Sequence, residues 1–417
     1  MKLLTFFGIA NYSATIYRWN DLEVMSPYSS IASCDFLKPD QLLVFLTKEA
    51  KENEHYGKMI AAVPGSIEIL PVTIPLGKDE PELWEIFQTI TSYVAPGEDV
   101  AFDITNGLRS FPLVGFLAAA FLRSSFHVNL KAVLYGAFDV GRARGDGITP
   151  VFDLSPMLEL LDWAEGADRF NRTGDSRFLA SLLKKKHGQL GKQSQKDPAR
   201  LAAIKPLSDL SATLENLSEA TRFIRPLAAI DEAAKVDALI EQSRPELMTH
   251  DTTAPFSLLL ENIRAGYQPF AGITDASVTI NVKVSLQHQL ALIAWYIERE
   301  YWVQAITLCR EWLVSWTMLQ MCLTEMVNKD DRSRVENALN SLAHHSNQDN
   351  PDVIALSRRP DAKAIMKLWK TTTDIRNDID HAGMRPGPAS PTRLKNQIQK
   401  IHQQLIALPI DSSQEPA

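Results

Sequence analysis

Arg376, Asn377 and His381 fall within six positions in the segment TDIRNDIDHAG (373–383), and together they could move protons around a phosphodiester. On a helix Asn377 and His381, four residues apart, share a face, and Arg376 lies on the neighbouring flank. Ile375, Ile379 and Ala382 would supply packing. Histidine suits proton transfer near neutral pH, and the arginine fork stabilises charge building on phosphoryl oxygens. The reaction this set fits is metal-free RNA cleavage. The 2′-OH attacks its own 3′ phosphate, a base takes its proton, an acid protonates the departing 5′ oxygen, and a 2′,3′-cyclic phosphate remains. Asn377 could orient the phosphate or the ring. One such helix offers a single imidazole, so two copies facing each other across a dimer axis would make a fuller site. A plainer reading stays open: a solvated arginine, a capping asparagine, and a histidine near the Gly383 stop, where a cation suits the helix dipole.

A second segment, DITNGLRSFP (103–112), groups Thr105, Asn106, Gly107, Arg109 and Ser110, which suit phosphates or base edges. They lead into a helix starting near Pro112, whose N-terminal N–H groups favour an anion. Gly107 would let the backbone approach a ligand, and Arg109 could pair with a phosphate bidentately. The same residues could equally make a strand-to-helix turn with Arg109 in solvent. The loop GIANY (8–12) has one glycine, not the GxGxxG of a dinucleotide site.

The elements that must position these groups follow from periodicity. KLLTFF (2–7), QLLVFLTKEA (41–50), IEILPVTIP (67–75), DVAFDIT (99–105) and LKAVLYGAF (130–138) read as strands. Helical patterns lie between them, at 50–62, 81–94 and 112–123. Alternating strands and helices predict an open, mostly parallel α/β sheet over 1–155. GIANY and DITNGLRSFP then fall at the carboxyl edge of its strands, where such sheets bind ligands. Strand signals stop after about residue 155. Helical patterns at 156–170, 200–245, 286–327 and 361–380 predict an all-α remainder, with 182–200 (LLKKKHGQLGKQSQKDPAR) as an exposed loop or helix end. The expected domains are 1–155, a helical connecting region 156–285, and a helical domain 286–417.

The chain of 417 residues has a net charge of −7, so any nucleic-acid contact must be local, with Lys184–Lys186 and His187 or Arg332 and Arg334 as candidate basic patches. Its three cysteines show no disulfide or zinc spacing, and no metal is expected. His344-His345 reads as part of a polar loop (339–351), and His127, His250 and His288 as lone residues. Trp295, Trp302, Trp312 and Trp316 recur at helical spacing, as core or interface residues do. No signal peptide or membrane-spanning run is legible, and a soluble cytoplasmic protein is expected.

MKLLTFFGIANY, DITNGLRSFP and RNDIDH, in this order, resemble the CARF–HEPN ribonucleases of type III CRISPR systems, and EREYWVQAITLCREWLVSW (298–316) resembles the first helix of their HEPN domains. The likeness covers roughly 1–155 and 286–383. It implies a Rossmann-like CARF domain, a helical linker region and an α-helical HEPN domain. It further implies a homodimer, with higher oligomers open, whose CARF domains bind a cyclic oligoadenylate, tetra-adenylate being the usual one. That activator switches on cleavage of single-stranded RNA without a cofactor. Carried over, Arg376, Asn377 and His381 form the nuclease site. Gly8, Asn11 and Tyr12 join Thr105, Asn106, Gly107, Arg109 and Ser110 as the ligand site. The alternative is a cyclic-nucleotide-sensing regulatory or interaction protein without cleavage activity. No winged-helix or zinc-finger pattern appears, which counts against a DNA-binding regulator.

Overall fold

A computed structural model describes all residues except 194–196, 250–253, 273–281, 324, 385 and 411–417. Contacts divide the chain into two compact units, Met1–Leu161 and Asp162–Ala417.

The first unit runs β1 (Lys2–Phe7), β2 (Thr15–Trp19), β3 (Leu22–Ser26), α1 (Ser29–Leu37), β4 (Gln41–Leu46), α2 (Lys48–Glu52), α3 (Glu54–Ala62), β5 (Glu68–Thr73), α4 (Glu80–Ser92), β6 (Asp99–Asp103), α5 (Ser110–Ser125), β7 (Asn129–Gly136), α6 (Phe138–Arg144) and β8 (Ile148–Asp153). The eight strands form one sheet in the order β3-β2-β8-β7-β6-β1-β4-β5. Pairing is parallel except at β2–β3 and β7–β8. The expected parallel α/β sheet is present, with three strands more than the sequence suggested. TIYRW and LEVMS form a hairpin over a tight turn at Asn20, whose φ is +53°. ITPVFD carries Pro150, which reads against a strand, yet it pairs with both β2 and β7.

β1 is central, with parallel neighbours β4 and β6, and so it is apolar on both faces. Leu4 and Phe6 enter a core with Phe45, Phe102, Ile86 of α4 and Val114 of α5. Leu3 and Phe7 enter the opposite core with Leu42, Val44, Ile31 and Cys34 of α1, and Met59 of α3. α5 approaches β1 closely: a Cβ added at Gly115 would lie 2.6 Å from Cε2 of Phe6.

α7 (Ser155–Thr173) spans the division between the units. The second unit continues with α8 (Arg177–Gln193), α9 (Pro198–Arg222), α10 (Pro226–Thr249), α11 (Ala254–Tyr267), a 3₁₀ turn (Gln268–Phe270), α12 (Val282–Glu298), α13 (Trp302–Gln320), α14 (Lys329–His344), α15 (Pro351–Ser357), α16 (Ala362–Asp380) and α17 (Pro391–Ile406). The basic stretch expected as a loop or helix end is mostly the body of α8. His344 closes α14 and His345 caps it at φ +53°, so the pair terminates a helix and does not sit within a long loop. One hydrophobic core runs from Trp163 and Phe170 through Leu214, Tyr267, Trp312 and Trp369 to Leu405. The connecting region and the C-terminal helices therefore share an interior, with no break at 285.

Trp295, Trp312 and Trp316 are buried, and their indole N–H groups donate to the carbonyls of Gly266, Leu286 and Pro409 at 2.9, 2.8 and 2.8 Å. Trp302 is half-buried beneath the Lys395 ammonium. Cys34, Cys309 and Cys322 are free. No described helix is long and apolar enough to cross a membrane.

Gly115→Ala should destabilise the protein by about 1–3 kcal/mol, because a methyl placed there overlaps the buried Phe6 ring and crowds Ile104. Urea unfolding monitored by circular dichroism would measure this, and an unchanged midpoint would contradict the described packing.

Candidate functional sites

At the carboxyl edge of the sheet β1 and β6 are neighbours, and the parallel strands that pair with their outer sides, β4 and β7, lie on opposite sides of the pair. The crevice between β1 and β6 is the topological switch point at which open α/β sheets bind ligands. Both flanking loops lie there. A Cβ added at Gly8 would sit 3.1 Å from the Gly107 Cα, so the two loops touch backbone to backbone. Gly107 has φ +107°, and a Cβ there would meet Phe111 at 2.9 Å, so both conformation and space require glycine.

Asp103, at the end of β6, organises the edge. It is fully buried and accepts hydrogen bonds from Thr5 Oγ1 (3.0 Å), Ser29 Oγ (2.8 Å) and the Thr105 N–H (3.1 Å). Asn106 Nδ2 then donates to Ser29 Oγ at 2.7 Å, and the Gly136 N–H donates to Thr105 Oγ1 at 2.8 Å. One carboxylate thus fixes β1, α1, β7 and the 105–107 loop together. Burial pushes its pKa above the usual carboxylate range, against the pull of Thr105, Ser29 and Thr5. Asp103, Thr5 and Ser29 were not singled out from sequence. The only signal was an acidic residue closing an apolar strand directly before the polar loop.

Of the expected ligand residues, Asn11, Gly107 and Arg109 are exposed, whereas Gly8, Tyr12, Thr105, Asn106 and Ser110 are half-buried. Arg109 is the N-cap of α5 and makes no ion pair among the described residues. Tyr12 turns inward. Its ring stacks on Phe7 with centroids 5.0 Å apart, its hydroxyl donates to the Gly8 carbonyl at 2.9 Å, and burial raises its pKa to about 12. Its role in this structure is to close the 8–12 loop. Tyr28 and His55, joined at 3.2 Å, wall the same loop and were not expected from sequence.

In the second unit α16 buries Ile365, Leu368, Trp369, Thr372 and Ile375 against α13, α14 and α17. The opposite side is left to solvent. Arg376 Nε pairs with Asp380 Oδ2 at 2.8 Å, and both side chains are more than one-third exposed. Asn377 is half-buried and His381 exposed. His381 is the C-cap, its N–H donating to the Asn377 carbonyl at 3.0 Å. The helix ends because Ala382 and Gly383 take φ +51° and +67°, and the Gly383 N–H returns to the Asp378 carbonyl at 2.9 Å. Asp378 is buried and its carboxylate accepts the Ala389 N–H at 3.1 Å, which holds the following loop against the helix. Ile375 packs in the core as expected, whereas Ala382 is exposed and makes the turn. Beside Asp378, a cavity of about 370 Å³ is lined by Thr371, Asp374, Ala389, Arg393 and Gln397.

The other candidates have structural partners. Arg332 bonds to Glu311, Ser315 and the Met326 carbonyl, and Arg334 grips Asp352 with two contacts. Neither is free to line a basic funnel. His127 is exposed and His288 half-buried, and His250 lies outside the described residues. Among the described residues no group of three or more His, Cys, Asp or Glu could hold a metal ion.

Residues 159–268 match the family described as CRISPR-associated protein MJ1674, second domain. Over 177 residues the chain is 30% identical to CRISPR-associated protein MJ1674 of Methanocaldococcus jannaschii, a stretch that is 42% of this chain and 26% of that protein. The chain thus spans about a quarter of that relative's length. Enterococcus italicus Csm6 bound to cyclic hexa-2′-fluoro-hexa-dAMP superposes on it with a TM-score of 0.47 at 10% identity, over 97% of this chain and 93% of that one. So loose an overlap fixes no residue correspondence.

Asp103 gives a pH test. A carboxyl that holds its proton more tightly in the folded chain stabilises the fold most below the unfolded value near 4. That contribution is lost as pH rises through the raised folded value. The stability gap between wild type and Asp103→Asn should therefore shift in favour of wild type as pH falls from 8 to 4, read from urea midpoints. Parallel profiles would remove burial as the dominant influence on this group.

Proposed function

We propose that this protein is a CRISPR-associated accessory endoribonuclease, activated by a cyclic oligoadenylate such as cyclic tetra-adenylate at the β1/β6 crevice. It cuts single-stranded RNA through Arg376, Asn377 and His381 from two copies of the chain. The observation that carries this reading is the end of α16, where an imidazole, a guanidinium and an amide are all accessible on a helix whose other face is packed in the core. The sequence likeness to a CRISPR-associated protein supports the setting.

In this mechanism His381 of one copy takes the 2′-OH proton, while the imidazole of the other copy protonates the 5′ oxygen. Arg376 is held along the helix by Asp380 until phosphate competes for it. An exposed pair of this kind is worth at most about 1 kcal/mol, so a phosphate in bidentate contact displaces it readily. Asn377 orients the scissile group. At the crevice, Arg109 and the N–H groups of Asn106 and Gly107 meet the ligand's phosphates, and Asn106 meets a base edge. The alternative reading, a sensor that binds the cyclic nucleotide without cleaving RNA, draws on the same Arg376–Asp380 pair, which would then be a permanent lock.

The test is cleavage of a labelled single-stranded RNA by the full chain with cyclic tetra-adenylate and EDTA present. Wild type should leave 2′,3′-cyclic phosphate ends. His381→Ala and Arg376→Ala should each lose about 10²–10⁴-fold in rate while still binding the activator. Undiminished cleavage by either variant would place the chemistry elsewhere. Tight activator binding by a wild type that never cuts would establish the sensor reading. Arg109→Ala should weaken activator binding by roughly tenfold or more, as loss of one charged phosphate contact does, with cleavage recovered at saturating activator. Isothermal titration would show whether it does.

A further inference from the structure

Lys363, Lys367, Lys370, Asn377 and His381 lie on one line along α16. Lys363 and His381 are 18 residues apart, which is five full turns at 3.6 residues per turn, and the others fall within about 40° of that line. The row is about 27 Å long at 1.5 Å per residue. All three lysines are exposed, opposite the buried Ile365, Leu368, Trp369 and Ile375.

They differ from the ion-paired cations on the neighbouring helices. Arg310, Arg332, Arg334 and Arg359 are paired with carboxylates, and Lys395 is paired with Glu300. Lys363, Lys367 and Lys370 carry no ion pair among the described residues. A single carboxylate, Asp374, interrupts the row between Lys370 and Asn377. In a chain of net charge −7, three unpaired ammonium groups in line with the imidazole make a local positive track.

We infer that this face of α16 is the track along which the phosphates of a single-stranded RNA lie as it approaches Asn377 and His381. The inference rests on the nuclease reading and names the substrate-positioning residues for it. Ammonium groups spaced four and three residues apart offer successive, sequence-independent phosphate contacts, as strands are held in channels that ignore base identity. The lysines touch backbone phosphates and leave the bases free. Discrimination among sequences is therefore weak along this face, and binding depends strongly on salt.

The experiment uses the full chain carrying His381→Ala, so that RNA survives, and a labelled 20-nucleotide oligouridylate titrated at several salt concentrations. Replacing the three lysines (K363Q/K367Q/K370Q) should flatten the slope of log K against log salt by about 2, since each single-strand phosphate contact contributes about 0.7. Affinity at 0.1 M salt should fall by about tenfold or more. Lys→Arg at all three positions should restore both, and K48Q/K51Q on α2 should change neither. An unchanged slope in the triple variant, or no RNA binding by the H381A chain at any salt, overturns the track. A wild type without cleavage defeats the nuclease reading separately, because the salt slope is measured without turnover.

Discussion

A single buried carboxylate holds the first unit's functional edge in place. Asp103 accepts hydrogen bonds from Thr5, Ser29 and the Thr105 backbone, and through Ser29 it reaches Asn106. Removing such an acceptor would strand three donors in a region closed to water, each at a cost of about 1–3 kcal/mol. The crevice between Gly8 and Gly107 can be narrow because the strands beneath it are locked in register, Thr5 beside Asp103. Loops that touch backbone to backbone cannot also be loose. The polar groups around them, Arg109 above all, are therefore presented from a preorganised frame, which limits the ordering cost a ligand would bear.

α16 meets two demands with one periodicity. Its buried stripe ends at Asp378, whose carboxylate holds the loop that follows, and the helix stops one residue before His381. The imidazole consequently stands where helical order has just ended, exposed yet fixed through its own backbone N–H. Arg376 is anchored more softly, by a solvent-facing partner, Asp380. The end of α16 thus sets an exposed imidazole on a fixed backbone beside a softly held cation.

Legibility in the sequence followed the strength of local patterns. β1, β4 and β6 are continuous apolar runs because they are buried on both faces, and α16 shows an unbroken helical stripe. Both features survive without tertiary context. β2, β3 and β8 were invisible because short strands of mixed polarity, one containing Pro150, owe their existence to partners distant in sequence, such as Ile16 beside Ile148. The polarity of α8 suggested a loop, since a helix covering a core with one stripe can carry lysines over the rest. In the sequence Asp103 lies inside the apolar run 99–105, whereas the strand ends at it. Its importance arises from Thr5 and Ser29, which no spacing rule connects to it. Tyr12 was expected to face a ligand, but its ring found Phe7 and Tyr28 first.

Residues 159–268, within the stretch with no legible motif, are the part that matches a CRISPR-associated domain. Its backbone carbonyls receive hydroxyl hydrogen bonds from the C-terminal helices and from within the stretch itself. The Tyr296 hydroxyl donates to the Thr221 carbonyl at 2.6 Å, the Tyr301 hydroxyl to Thr173 at 2.9 Å, and the Tyr267 hydroxyl to Gly174 at 2.8 Å. At Gly174 a Cβ would strike the Trp295 ring at 2.1 Å, so even the turn after α7 is shaped by α12. A segment cross-linked in this way cannot act as a slack tether. The Tyr301 hydroxyl ties the end of α7 to the start of α13, and α13 is the bed on which α16 lies. The helix that carries His381 is therefore seated in the same interior as the connecting region.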